Sequence, residues 1–192
     1  MSATLLAQAM ALASAAGVST YATVALLGFA ARQQWIDQLP SALTGLTSWW
    51  VIGLAASLYV IEFLATLVPG VASAWEAVHS TLRPLAGSAL AVATAWHADP
   101  GIIVAAGLLG GTLALGTQAT KLGARVAIDA SPEPVTNGVA NVAEAGFVAT
   151  IALLVWQHPW IALGIALSTT ILIALLVRAA WRTIGRLLRR QS

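Results

Sequence analysis

The sequence predicts an all-α integral membrane protein, with residues 1–192 forming one domain built as a polytopic bundle of about six transmembrane helices. Composition is the first reason, because 59% of the residues are hydrophobic and only 8% are charged. A soluble domain carries about 25% charged residues, so this chain could not cover a globule with polar groups. The second reason is that the apolar residues form long runs without the alternation of period two that a membrane barrel requires.

Six apolar runs are predicted to cross the bilayer, since a helix satisfies its backbone hydrogen bonds inside lipid. The third run is short, because its length at about 1.5 Å per residue does not cross a hydrocarbon core about 30 Å thick. It either belongs to a helix that begins before Pro84 and kinks there, or it spans only partly. The predicted spans are residues 3–31, 49–68, 84–98, 101–128, 138–157 and 160–182.

Charged and aromatic residues predict the orientation. All the Lys and Arg residues except Arg32 fall on or near one side, which we assign to the cytoplasm together with both termini. The tryptophans fall at the predicted boundaries, as expected for an aromatic belt at the level of the lipid head groups. The basic C-terminus, with Arg178, Arg182, Arg186, Arg189 and Arg190, is expected to contact anionic lipid head groups and no nucleic acid.

Two features of the pattern are typical of transporters. The turns at residues 97–100 and 157–159 are alike and suggest two halves of three spans, which would form a 3+3 inverted repeat. Small residues interrupt the first and fourth spans at residues 17–23 and 110–118. Close helix packing is the commoner explanation of such residues, and an unwound segment that faces a substrate is the alternative.

Charged residues within the spans are the main functional candidates. Glu62 and Glu144 lie at similar depth in the inner half of the bilayer, where a charge costs about 2.5–3.5 kcal/mol at a helix centre. Lys121 and Arg125, four residues apart on one helix face, are the expected partners. Such a site is either a cytoplasm-facing pathway or a set of structural ion pairs. The pathway candidates are Glu62, Glu144, Lys121, Arg125, Asn137 and Asn141.

The segment 69–83 is predicted to be an amphipathic inner loop, because Glu76, His79 and Arg83 share one helical face. It either lies at the membrane interface or folds back into the bundle. A single Glu-x-x-His pair does not suffice to predict a metal site, so neither a metal nor a cofactor is expected. Together with the second inner loop, the predicted inner-loop polar cluster comprises Glu76, His79, Arg83, Asp129, Ser131 and Glu133.

Two motifs in these inner segments carry a family resemblance. The first is Glu62, Pro69-Gly70 and Trp75-Glu76-x-x-His79-x-x-x-Arg83-Pro84-x-x-Gly87, and the second is Lys121-x-x-x-Arg125, Ser131-Pro132-Glu133-Pro134-x-x-Asn137 and Glu144. Over residues 15–160 the chain resembles the bacterial integral membrane family called domain of unknown function 4126. The resemblance implies a bacterial inner-membrane protein and draws attention to the inner-loop polar residues. At Thr66, Leu67, Ala72 and Ala145 the chain lacks charges that family members often carry.

Motifs for soluble catalysis are absent from the sequence, which has no phosphate-binding glycine loop, zinc-protease helix or nucleophile elbow. No catalytic residue is therefore predicted, and the absence of cysteine excludes disulfides and thiolate metal sites. The first functional hypothesis is a small secondary transporter or channel with a cytoplasm-facing polar site. The alternatives are a non-transporting scaffold or assembly protein and a lipid-modifying membrane enzyme. A homodimer would suit so small a bundle.

Overall fold

The computed structural model describes residues 2–36, 39–68, 71–129 and 134–188, and this part of the chain is all-helical. Seven α-helices and one 3-10 helix follow one another along the sequence. They are α1 (Ser2–Val18), α2 (Thr20–Arg32), the 3-10 helix (Ser41–Thr47), α3 (Trp49–Ala65), α4 (Val71–Thr94), α5 (Pro100–Asp129), α6 (Pro134–Leu154) and α7 (Pro159–Leu188). The last three helices begin at proline, whose fixed φ suits the first helical position.

Three of the described helices are long and apolar enough to cross a membrane, in the stretches Pro100–Val126, Asn137–Leu154 and Pro159–Ala179. A fourth candidate is the pair formed by the 3-10 helix and α3, which is bent by 70°. The predicted helical and apolar character is thus confirmed. The count of six spans and the 3+3 inverted repeat are not, because only three or four described helices meet the requirements of length and composition.

The predicted first span, residues 3–31, is two helices that meet at Ser19. Ser19 has an extended backbone, and its hydroxyl accepts a hydrogen bond from the backbone N–H of Ala22, which caps α2. The two helices have 17 and 13 residues, and each is shorter than the roughly 20 residues that a span needs. The chain therefore breaks within the small-residue segment 17–23, whereas segment 110–118 is continuous inside α5.

The predicted inner loop 69–83 and the predicted short span 84–98 are largely one helix. Helix α4 begins at Val71, continues through Pro84 and ends at Thr94. Its polar residues Glu76, His79 and Arg83 are buried, so this face is not exposed at an interface. The third predicted span therefore belongs to a helix that begins before Pro84. The segment before Pro84 folds back into the bundle and does not lie at the interface. Proline inside a helix removes one backbone hydrogen bond, a loss that packing around α4 must offset.

Helices α1, α4 and α5 pack closely around small residues near the centre of the structure. A Cβ atom added to Gly87 of α4 would lie 2.4 Å from the Cβ of Ala114, and one added to Gly110 of α5 would lie 2.4 Å from the Cβ of Ala91. Both glycines also approach Ala13 of α1, which is fully buried. Close packing therefore explains Gly110, since a larger residue would force these helices apart.

The substitution Gly110→Ala is expected to lower the free energy of unfolding by about 1–3 kcal/mol, because the added methyl group overpacks the contact between α4 and α5. The matched control is Gly116→Ala in the same helix, where an added Cβ meets no atom within 4 Å. That control should leave stability unchanged or raise it by up to about 1 kcal/mol, because alanine favours helix. Thermal unfolding in detergent measures both, and equal effects of the two changes would contradict the packing described.

Candidate functional site

A buried arginine forms the centre of the polar site. Arg83 is 1% exposed, and its Nη2 donates to Oε1 of Glu62 at 2.5 Å while its Nη1 donates to Oε2 of Glu76 at 2.6 Å. Gln118 completes this group, since its Oε1 accepts from Arg83 Nη1 at 2.5 Å and its Nε2 donates to Glu76 at 3.1 Å. These contacts join helices α3, α4 and α5 at one point.

Lys121 of α5 links this group to α6. Its Nζ lies 3.5 Å from Oε1 of Glu62, 3.4 Å from Oε1 of Glu76 and 3.0 Å from Oε2 of Glu144. The same ammonium donates to the backbone carbonyl of Val18 at 2.9 Å. Val18 is the last residue of α1, where the carbonyl end of the helix dipole favours a cation. The two intramembrane acids of the sequence analysis, Glu62 and Glu144, thus share one basic partner.

Arg125, one turn further along α5, binds residues of α6. Its Nη2 donates to Oε1 of Glu144 at 2.8 Å and to Oδ1 of Asn141. The Nδ2 of Asn141 donates in turn to the hydroxyl of Thr66 at 3.0 Å, at the end of α3. Asn137 lies one turn earlier in α6 and is buried, and its Oδ1 has no hydrogen-bond partner in the described ranges.

The break between α1 and α2 contributes to the same site. The hydroxyl of Ser19 donates to Oε2 of Glu62 at 2.8 Å while it accepts from the backbone of Ala22. Glu62 therefore has contacts on both carboxylate oxygens, one with Arg83 and one with Ser19. At this break the Ser19 hydroxyl contacts Glu62 and the Val18 carbonyl accepts from Lys121.

Among the described residues, three carboxylates and three basic groups meet at this site, so their formal net charge is zero. The carboxylates are those of Glu62, Glu76 and Glu144, and the basic groups are those of Arg83, Lys121 and Arg125. Burying an ion is tolerable when it is paired and hydrogen-bonded, and very costly when one partner is missing. We call these six residues, with Gln118 and Asn141, the charge cluster.

Exposure divides the three acids of the charge cluster into two kinds. The side chains of Glu62 and Glu76 are 4% and 5% exposed, whereas that of Glu144 is 23% exposed. Glu62 and Glu76 are therefore sealed by their ion pairs. Glu144 is paired but accessible, which is the property that a group handling a ligand needs.

A cavity of about 270 Å³ lies beside Glu144, between α5, α6, α7 and the end of α1. Lys121, Arg125 and Glu144 border it on the side of the charge cluster. The rest of its wall is mostly apolar, with Phe147 and Ile173 as the large side chains. The cavity thus combines a charged end with an apolar body.

Arg125 carries polar atoms that its protein neighbours do not satisfy. Its Nε and Nη1 are buried and have no hydrogen-bond partner in the described part of the chain, although Nη2 has two. A guanidinium has five N–H donors, of which these two nitrogens carry three. Arg125 also lines the cavity, so the residue that carries these buried donors lies between the charge cluster and the cavity.

His79 is buried near the charge cluster but is held by aromatic partners. Its Nδ1 lies 2.7 Å from the carbonyl oxygen of Trp75 and must donate to it, because a carbonyl only accepts. Its Nε2 lies 3.0 Å from the hydroxyl of Tyr21, and its ring stacks on Trp75 at 4.4 Å between centroids. In the described residues, no group of His, Cys, Asp or Glu is arranged to hold a metal ion.

The structure brings most of the predicted candidates into one place. Those that meet in the charge cluster are Glu62, Glu76, Arg83, Lys121, Arg125, Asn141 and Glu144. Ser131 and Glu133 lie outside the described residues, as does the side chain of Asp129. The pairing of Arg83 with Glu62 is not evident from the sequence, in which the pattern around Arg83 indicates an inner loop. Ser19 and Gln118 are further members of the site that were not predicted, although a polar residue inside an apolar run is the signal that marks both.

Replacing Arg83 with Met is expected to lower the free energy of unfolding by about 3–5 kcal/mol, because two buried carboxylates lose their main partner. Arg182→Met is the matched control, since Arg182 is exposed on α7, and it should change stability by less than about 1 kcal/mol. Thermal unfolding in detergent gives both values. A loss for Arg83→Met as small as that of the control would show that the cluster does not hold the helices together.

The chain is similar to one known protein family over most of its length. Residues 6–179 match the family described as Domain of unknown function (DUF4126), a range that includes every member of the charge cluster. No curated protein and no solved structure matches the chain. The family match confirms the resemblance seen in the sequence motifs around Glu62, Arg83, Lys121 and Glu144. The chain therefore belongs to the family Domain of unknown function (DUF4126).

Proposed function

We propose that this protein is a small membrane transporter or channel whose solute site is the cavity beside Glu144. The observation that supports this proposal is the cavity of about 270 Å³ bordered by Lys121, Arg125 and the partly exposed Glu144. Ionisable groups within apolar helices are costly, and those that face a cavity usually belong to a solute or ion pathway.

The proposed setting is the bacterial inner membrane, with both termini in the cytoplasm and the basic C-terminus on anionic lipid head groups. Large apolar side chains are exposed on the long helices, such as Leu108 and Leu115 on α5 and Leu172 and Leu176 on α7. Apolar surface of this extent is unfavourable in water and suits a lipid environment. In this orientation the charge cluster and the cavity belong to the inner half of the bilayer.

The break at Ser19 supports a transport function over a purely structural one. In many transporters, discontinuous helices place their ends at the solute site near the middle of the membrane. Here the carbonyl end of α1 at Val18 accepts a hydrogen bond from Lys121, and Val18 also lines the cavity. The broken helix thus ends at the point where the cavity meets the charge cluster.

The two alternative functions have less support. A lipid-modifying enzyme would need Glu76 and Arg83 free to reach a substrate, but these residues are buried and paired with each other. A scaffold would use small-residue faces to bind other helices. Gly17, Gly87 and Gly110 instead pack against residues of this chain.

Thiol labelling tests whether the cavity is hydrated, and the natural absence of cysteine makes each introduced thiol unique. Thr170→Cys places a thiol on the wall of the cavity, and Thr23→Cys places one in a fully buried position of α2. A water-soluble, negatively charged methanethiosulfonate should label the first variant at least about tenfold faster, because only a hydrated thiol ionises and reacts. Equally slow labelling of both in membrane vesicles would contradict the proposal.

A further inference from the structure

We infer that the cavity binds a small organic acid, whose carboxylate is held by Arg125 and whose hydrocarbon part lies against α6 and α7. This inference rests on the proposed function, because it names the class of solute that the site takes. Glu144, which binds Nη2 of Arg125, is then a second carboxylate beside the bound acid.

The donors of Arg125 favour an anion. The residue is 6% exposed, and its Nη2 is already engaged by Glu144 and Asn141. Its Nε and Nη1 are buried without an acceptor in the described residues, and a charged donor left in this state is costly. A planar carboxylate is the ligand that a guanidinium recognises best, through charge-assisted hydrogen bonds.

The shape and the wall of the cavity favour an apolar body attached to that carboxylate. Its volume of about 270 Å³ lies near the lower end of the roughly 300–1,000 Å³ of small-molecule sites. Ala140, Ala143 and Phe147 of α6 and Ile173 of α7 form an apolar wall beyond the charged side. An inorganic anion would leave this wall without contacts, whereas a chain of a few carbon atoms would bury against it.

The charges around Glu144 predict the effect of removing its carboxylate. Lys121 and Arg125 of α5 contact Glu144 directly, while Glu62 and Tyr59 of α3 border a second small pocket with it. Because the charge cluster is neutral as it stands, a bound carboxylate adds one negative charge beside Glu144. Glu144→Gln removes that repulsion and makes the charge cluster positive by one formal charge. An organic anion should therefore bind more tightly to this variant. A cationic solute would respond in the opposite direction.

The test is isothermal titration of the purified full-length protein in detergent with hexanoate, hexanamide and hexylammonium as probes. Wild-type protein should bind hexanoate at least about tenfold more tightly than either of the other two, because only the anion pairs with Arg125. Arg125→Gln should weaken hexanoate binding at least about tenfold, and Glu144→Gln should strengthen it. Loss of hexanoate binding in Glu144→Gln, or preference of the wild type for hexylammonium, would overturn the inference.

A second variant keeps the test decisive if Arg125→Gln does not fold. Ile173→Trp fills the cavity from α7 without removing an ion pair, so it should weaken hexanoate binding at least about tenfold and affect acetate less. Unchanged hexanoate binding in this variant would also overturn the inference. If Thr170→Cys is labelled from water but wild-type protein binds no hexanoate, the anion site is wrong and the transport proposal stands. If Thr170→Cys is not labelled and the wild-type protein binds no hexanoate, both the anion site and the transport proposal are wrong.

Discussion

The pairing of Arg83 with Glu62 and Glu76 is the constraint on which the rest of the structure depends. Three charges are buried at one point where α3, α4 and α5 meet, and none of them is tolerable there without the others. The ionic contacts fix how far each helix is shifted along its neighbours, because a displacement of one turn would separate the partners by about 5.4 Å. The close approach of the helices at Gly87 and Gly110 reinforces the same alignment.

Next to this buried centre lies a second set of charges, in which Glu144 is the accessible member. Lys121 belongs to both sets, since it contacts Glu62 and Glu76 on one side and Glu144 on the other. The buried pairs thereby hold Lys121 and the end of α1 in place at the edge of the cavity. Glu144 and Arg125 then lie between these buried ion pairs on one side and the cavity on the other, an arrangement that would preorganise the proposed binding site.

The sequence predicted the helical, apolar character of the chain and the pairing of Glu62 and Glu144 with basic residues of one helix, because a charge in an apolar run is conspicuous whatever the fold. Boundaries that depend on tertiary contacts were not predictable in this way. Pro84 resembles a helix end, yet packing of α4 against α1 and α5 carries the helix through it. The break at Ser19 has no proline to mark it, since it is stabilised by a cap and by the contact of Ser19 with Glu62.

Electron cryo-microscopy of the protein in lipid nanodiscs with hexanoate would show directly whether buried ion pairs support an adjacent open anion site. We expect Arg83 to remain paired with Glu62 and Glu76, and additional density to lie in the cavity against Arg125, with the hydrocarbon part near Ile173. A cavity filled by protein side chains, or protein acceptors on Nε and Nη1 of Arg125, would contradict it.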